Sequence, residues 1–74
     1  MQYALVELRV RKGLTQEDLA KKLNISRQTL IVWEKDLRNV DFNKIYELAN
    51  IFDVKINEIR MQPEKFDNQK SSIA

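Results

Sequence analysis

The stretch TQEDLAKKLNISRQTLIVWE, residues 15–34, leaves this chain few ways to fold. Thr15 offers a side-chain acceptor where a helix should begin, and Asp18 three residues later completes a capping-box-like pair. Leu19, Ala20 and Leu23 then recur at helical spacing, which predicts a helix over 16–23. Asn24 follows where that helix must stop, and asparagine tolerates the left-handed backbone of a tight exit. Ile25 is placed to plug the corner. Ser26 is a second N-cap, and Leu30 and Trp33 form the inward stripe of a helix over 27–35. Ala20 is small where two helices crossing at a steep angle would allow no bulk.

The same signals recur on either side. Residues 3–12 predict a first helix with Leu5 and Leu8 facing inward. Arg9, Arg11 and Lys12 crowd its last turn, where cations suit the helix dipole. Gly13, the only glycine, stands where a left-handed residue should end that helix, and Leu14 follows as the apolar residue after the cap. Residues 36–40 predict a loop. Asp41 is the expected N-cap of a fourth helix, with Phe42, Ile45, Leu48, Ala49 and Phe52 on one face. Residues 53–55 connect it to a short fifth helix over 56–60. No strand-like alternation interrupts this series, so the expected fold is all-α. The expected division is a domain over 1–60 and a mostly disordered tail over 61–74, where QPEKFDNQKSSIA lacks periodicity. In that tail only Phe66 and Ile73 suggest contact with a partner.

The run KGLTQEDLAKKL, followed by ISRQTL and WEK, resembles the helix-turn-helix of the lambda-repressor and Cro-type family, often called XRE. The resemblance extends from about Leu5 to Ile59 and involves many positions at once. It implies a compact five-helix domain that lays its third helix in the DNA major groove. It also implies a small transcriptional regulator, of the kind found in phages and mobile elements, acting as a homodimer on a two-fold operator of double-stranded DNA. Read without the resemblance, the same apolar stripes describe a helical hairpin whose pattern is only core.

Several function classes are disfavoured on chemical grounds. The sequence has no Cys, hence no disulfide framework and no thiolate metal site. It has no His, the commonest general base and zinc ligand. No nucleophile–base pair or phosphate-cradling Gly-rich loop points to an enzyme, and no cofactor is expected. The apolar runs are too short to span a membrane and no signal-peptide core is present, so the expected location is a reducing cytoplasm. The net charge of +2 says little, but its distribution says more. Residues 9–44 hold nine Lys/Arg against five Asp/Glu, a net of +4, whereas residues 45–74 hold four against five. The basic excess lies on the motif, as a footprint for phosphate would, although a solvated charged surface has the same composition.

At about 100° per residue, Gln28, Val32 and Lys35 point away from Leu30 and Trp33, with Ile31 beside them and Arg27 on the first turn. The resemblance places base contacts on Arg27, Gln28 and Val32. Arg27 suits guanine, Gln28 adenine, and Val32 or Ile31 a thymine methyl. Alternatives stand beside these: Arg27 as a phosphate or surface residue, and Gln28 as merely solvated. The resemblance gives Gln16 a backbone phosphate at a helix N-terminus. Thr29 and Lys35 from the third helix, and Arg38 and Asn39 from the loop behind it, are further phosphate candidates. Lys21 and Lys22 are read as solubility residues. The resemblance also pairs Arg9 with Glu34 as a structural ion pair tying the first helix to the third.

Four positions depart from the family pattern. Asp36 and Val40 occupy loop positions where relatives commonly carry Gly and Pro, which predicts a less rigid loop. Ile31 and Val32 stand where relatives usually carry polar or charged side chains. An exposed aliphatic pair often marks a protein-binding surface. The alternative function is therefore an interaction module, an antirepressor or antitoxin whose third-helix face grips a partner repressor or toxin.

Overall fold

The computed structural model describes residues 1–63 of the chain. Four α-helices follow in order: α1 (Leu5–Arg11), α2 (Gln16–Leu23), α3 (Arg27–Lys35) and α4 (Phe42–Phe52). A single 3-10 turn, Ile56–Glu58, comes last, and the described residues contain no strand. The architecture is all-helical as expected, but the fifth α-helix is not there. Of the tail expected over 61–74, residues 64–74, with Phe66 and Ile73, lie outside the described residues.

Local chemistry sets the helix boundaries. Thr15 Oγ1 accepts the Asp18 N–H at 3.0 Å, and Asp18 Oδ2 accepts the Thr15 N–H at 2.9 Å. Two amides that would otherwise lack partners at the start of α2 are thus satisfied reciprocally. Asn24 takes φ 58° and ψ 47°, and the Ile25 N–H turns back to the Ala20 carbonyl at 3.0 Å. Lys44 Nζ, from α4, donates to the Leu23 carbonyl at 2.8 Å and covers another open end of α2. Ser26 Oγ accepts the Thr29 N–H at 3.1 Å to begin α3. The exit of α4 repeats that of α2: Asp53 takes φ 55° and the Val54 N–H bonds the Ala49 carbonyl at 3.0 Å. Asp41 occupies the N-cap position of α4, but its side chain makes no cap bond.

The core lies between these four helices. Leu19, Leu23, Leu30 and Leu48 are wholly buried, with Leu5, Leu8 and Ile45 around them. Ala20 is buried where α2 packs on α3, the most extensively packed pair. Trp33 and Ile25 are half-buried against this cluster. Phe42 departs from expectation: it is 56% exposed. It falls at the border of the apolar arc of α4, one turn ahead of Ile45, and its ring meets Tyr46 edge-on at 4.9 Å between centroids. Leu37, within the predicted loop, is instead buried in the core.

Backbone pairing explains both the short α1 and the missing fifth helix. The Tyr3 N–H bonds the Glu58 carbonyl at 2.7 Å, and the Arg60 N–H bonds the Tyr3 carbonyl at 2.8 Å. This isolated parallel bridge between Tyr3 and Ile59 holds Tyr3 out of α1 and leaves Ile59 extended, with its side chain buried. The Leu37 N–H bonds the Met61 carbonyl at 3.0 Å and continues the closure. Helical spacing of Ile56 and Ile59 suggested a helix, but the Tyr3 backbone groups outcompete the next helical turn.

The Asp18 carboxyl is held below its ordinary value of 3.8, chiefly by the Thr15 backbone N–H, then by the Thr15 side chain. A depressed carboxyl stabilises the fold above its unfolded value and loses that contribution as pH falls through the folded value. The stability difference between wild type and Asp18→Asn should therefore be full near neutrality and shrink below about pH 4, read by urea melts across pH. Thr15→Ala should cost about 0.5–2 kcal/mol in the same melts.

Candidate nucleic-acid interface

The outer face of α3 follows from how its inner face is used. Leu30 is buried and Trp33 half-buried, which turns Gln28, Val32 and Lys35 outward. Arg27 and Gln28 are exposed at the first turn and make no side-chain bond to the described residues. Val32 is 62% exposed, while Ile31 beside it is half-buried. The expected exposed aliphatic pair is therefore one open valine with a partly covered neighbour. Lys35 is exposed at the C-terminal end of the helix. Of the other phosphate candidates, Thr29, Arg38 and Gln16 have internal side-chain bonds and Asn39 has none to the described residues. Thr29 Oγ1 accepts from the Ser26 hydroxyl at 2.9 Å. Asn39 is exposed in the turn after α3.

Arg38 is engaged. Its Nε donates to Asp36 Oδ1 at 3.0 Å and its Nη2 to Oδ2 at 2.8 Å, a fork onto one carboxylate. Asp36 Oδ1 also accepts the Arg38 backbone N–H at 3.0 Å. The Arg38 side chain, with that N–H, holds the Asp36 carboxyl below the ordinary carboxylate range, and Asp36 raises the Arg38 guanidinium in turn. Asp36 thus supplies by side-chain bonding some of the order expected from a glycine turn. An Asp-x-Arg spacing at a helix exit is the local sequence signal for this fork.

Behind the face lies a linked set of polar side chains. Arg9 Nε donates to Glu34 Oε2 at 2.6 Å, and Arg9 Nη1 donates to the Leu14 carbonyl at 2.9 Å. The pair is well covered: the Arg9 side chain is 14% exposed and that of Glu34 7%. The second carboxylate oxygen is also occupied. Gln16 Nε2 donates to Glu34 Oε1 at 2.9 Å, and Gln16 is half-buried. One carboxylate therefore joins α1, the start of α2 and the end of α3. No buried side-chain polar atom among the described residues lacks a partner. The described residues hold no cluster of His, Cys, Asp or Glu suited to a metal ion, and no helix among them is long and apolar enough to cross a membrane.

Known proteins resemble this chain in sequence. A family model described as Helix-turn-helix matches residues 5–59. An uncharacterized HTH-type transcriptional regulator of Methanocaldococcus jannaschii is 44% identical over 59 residues, 80% of this chain and 89% of that protein. One from Archaeoglobus fulgidus is 34% identical over 59 residues, 80% of this chain and 84% of that protein. The HTH-type transcriptional regulator ImmR of Bacillus subtilis is 38% identical over 50 residues, 68% of this chain but 39% of ImmR.

Removing one member of a covered ion pair strands the other charge. Arg9→Met and Glu34→Gln should each destabilise by about 3–5 kcal/mol, with the double change costing less than the sum. Denaturant melts of the three variants measure this. Small, additive losses would mean that the two charges are effectively solvated.

Proposed function

The chain belongs to the helix-turn-helix family of XRE type, and from that premise we propose that it is a sequence-specific DNA-binding transcriptional regulator that lays α3 in the major groove. The observation that carries this reading is the outer face of α3. Arg27 and Gln28 stand exposed with their donors uncommitted, on a helix whose other side is locked into the core. Arg27 has the fork geometry for guanine, Gln28 the amide pair for adenine, and Val32, with Ile31, the methyl groups for thymine. Gln16, Thr29, Lys35 and Asn39 are assigned to the DNA backbone, which fixes orientation without reading sequence. Arg38 joins them with its Nη1, since its other two nitrogens serve Asp36. The names of the relatives, HTH-type transcriptional regulators, support the regulatory role. A homodimer on a two-fold site is the assembly that such a docking geometry favours. The operating unit is residues 1–60, acting in the cytoplasm without catalysis.

A second reading has an observation of its own. Val32 is 62% exposed on a face otherwise suited to DNA, and the major groove uses aliphatic surface only at thymine methyls. A partner regulator or toxin would bury it, which is worth about 1.5–3 kcal/mol per aliphatic side chain.

Base and backbone contacts respond differently to mutation. Arg27→Ala should cost roughly 1–3 kcal/mol on the preferred site alone and relax preference at one base pair, in titrations against preferred and random duplexes. Lys35→Ala should weaken both duplexes alike and lower the salt slope by about 1. Equal losses for Arg27→Ala on both duplexes would make Arg27 a phosphate ligand. The double change Ile31→Ser with Val32→Lys decides between the readings. On the DNA reading it alters site preference while salt-sensitive non-specific binding persists. Unchanged DNA binding with loss of a protein partner would establish the interaction module instead.

A further inference from the structure

We propose that Glu34 is a positioning residue for the DNA backbone, acting through the Gln16 carboxamide. The proposal rests on the assignment of Gln16 to a phosphate and says how that contact is prepared. A glutamine carboxamide has a donor end and an acceptor end of nearly the same shape. Only the donor end is useful against a phosphate oxygen. A solvated glutamine samples both orientations over three side-chain torsions, and both the choice of end and the torsional freedom must be settled on binding.

Glu34 settles both in advance. An ionised carboxylate only accepts, so the end of Gln16 that faces it must be Nε2, which donates to Oε1 at 2.9 Å. The carboxylate cannot swing away from this task. Its other oxygen is held by Arg9 at 2.6 Å, and Arg9 is itself anchored on the Leu14 carbonyl at 2.9 Å. The Glu34 side chain is 7% exposed, so water competes poorly for either oxygen. A succession of contacts therefore runs from the turn before α2, through Arg9 and Glu34, to the carboxamide at the first residue of α2. Nε2 carries two hydrogens, and the Glu34 bond engages one. The other is left in a fixed direction for a second acceptor, beside the N-terminal end of the helix, where anions are favoured. The charge of Glu34, which alone would repel a phosphate, is offset at contact distance by Arg9.

The test compares wild type, Gln16→Ala, the paired change Arg9→Met with Glu34→Met, and all three changes together. The paired change leaves net charge unaltered and replaces a buried ion pair by apolar groups, an exchange that folds often tolerate. Affinity for a random-sequence duplex at fixed low salt is the readout, with a melt to verify folding. Gln16→Ala and the paired variant should each weaken binding by a few-fold to about tenfold, as expected from one ordered side chain. The triple variant should be no weaker than either. Losses that multiply in the triple variant, or a paired variant that is folded and binds like wild type, would overturn the proposal. If wild type binds and Gln16→Ala binds equally well, the phosphate assignment of Gln16 itself fails, and the proposal with it. A second measurement needs no variant that folds. In the free wild-type protein, the side-chain NH2 resonances of Gln16 should be ordered and separate from those of exposed Gln28. A Gln16 carboxamide as mobile as that of Gln28 before DNA is added would also sink the proposal.

Discussion

A single carboxylate, that of Glu34, holds the arrangement together. Its oxygens accept from Arg9 on α1 and Gln16 on α2, while its backbone belongs to α3. Packing of Leu19, Leu23 and Leu30 brings α2 and α3 together, but hydrophobic contact is tolerant of small rotations and slides. Directed bonds are not. An arginine Nε–H and an amide donor meeting on one group fix the roll of α3 about its axis, and with it the direction in which Gln28 and Val32 point. The same bonds would be costly if left incomplete at 7% exposure, so the three helices must dock in register or lose all of them.

The remaining geometry comes from short-range chemistry at the helix ends. Two non-glycine residues, Asn24 and Asp53, take the left-handed conformation at the exits of α2 and α4. Each lets the next residue but one to the helix turn its amide back to a carbonyl one turn earlier, and Ile25 and Val54 then face the core. The corner between α2 and α3 is completed from a distance by Lys44, whose ammonium covers the Leu23 carbonyl. That bond joins the fourth helix to the second, so the helix-turn-helix pair is supported from both sides, by Arg9 and by Lys44.

Much of this was legible in the chain because its signals are local. Thr15 with Asp18, Asn24, Ser26 and Gly13 each state a boundary within three or four residues, and the boundaries of α2 and α3 fall where those residues put them. What escaped was non-local. The Tyr3–Ile59 bridge pairs residues at opposite ends of the described chain, and nothing in either neighbourhood announces it. It shortened α1 and replaced a fifth helix by one 3-10 turn. The burial of Leu37, whose N–H bonds the distant Met61 carbonyl, was equally invisible. At the α3 face, the outward set was readable from helical periodicity, but the engagement of Gln16 by Glu34, eighteen residues away, was not. Exposed-looking polar residues give no sign of which neighbour will claim them. Phe42 shows the limit of the periodic argument itself, since a position at the edge of an apolar arc is decided by whether anything packs beyond it.

The Tyr3 bridge has a kinetic side. Two backbone bonds close a loop that includes all four helices, whereas the α2–α3 corner closes over only a few residues. Loop-closure entropy rises with the length enclosed, so forming the bridge asks more of the chain than forming the α2–α3 corner. Because the Tyr3 amide and the Arg60 amide are bound across the same junction, neither end frays alone. Release of the first residues breaks both bonds, and release of residues 58–60 leaves the Tyr3 backbone groups without these two partners. The two ends are thus latched to each other at the edge of the domain, so that opening one opens the other, away from the α2–α3 corner.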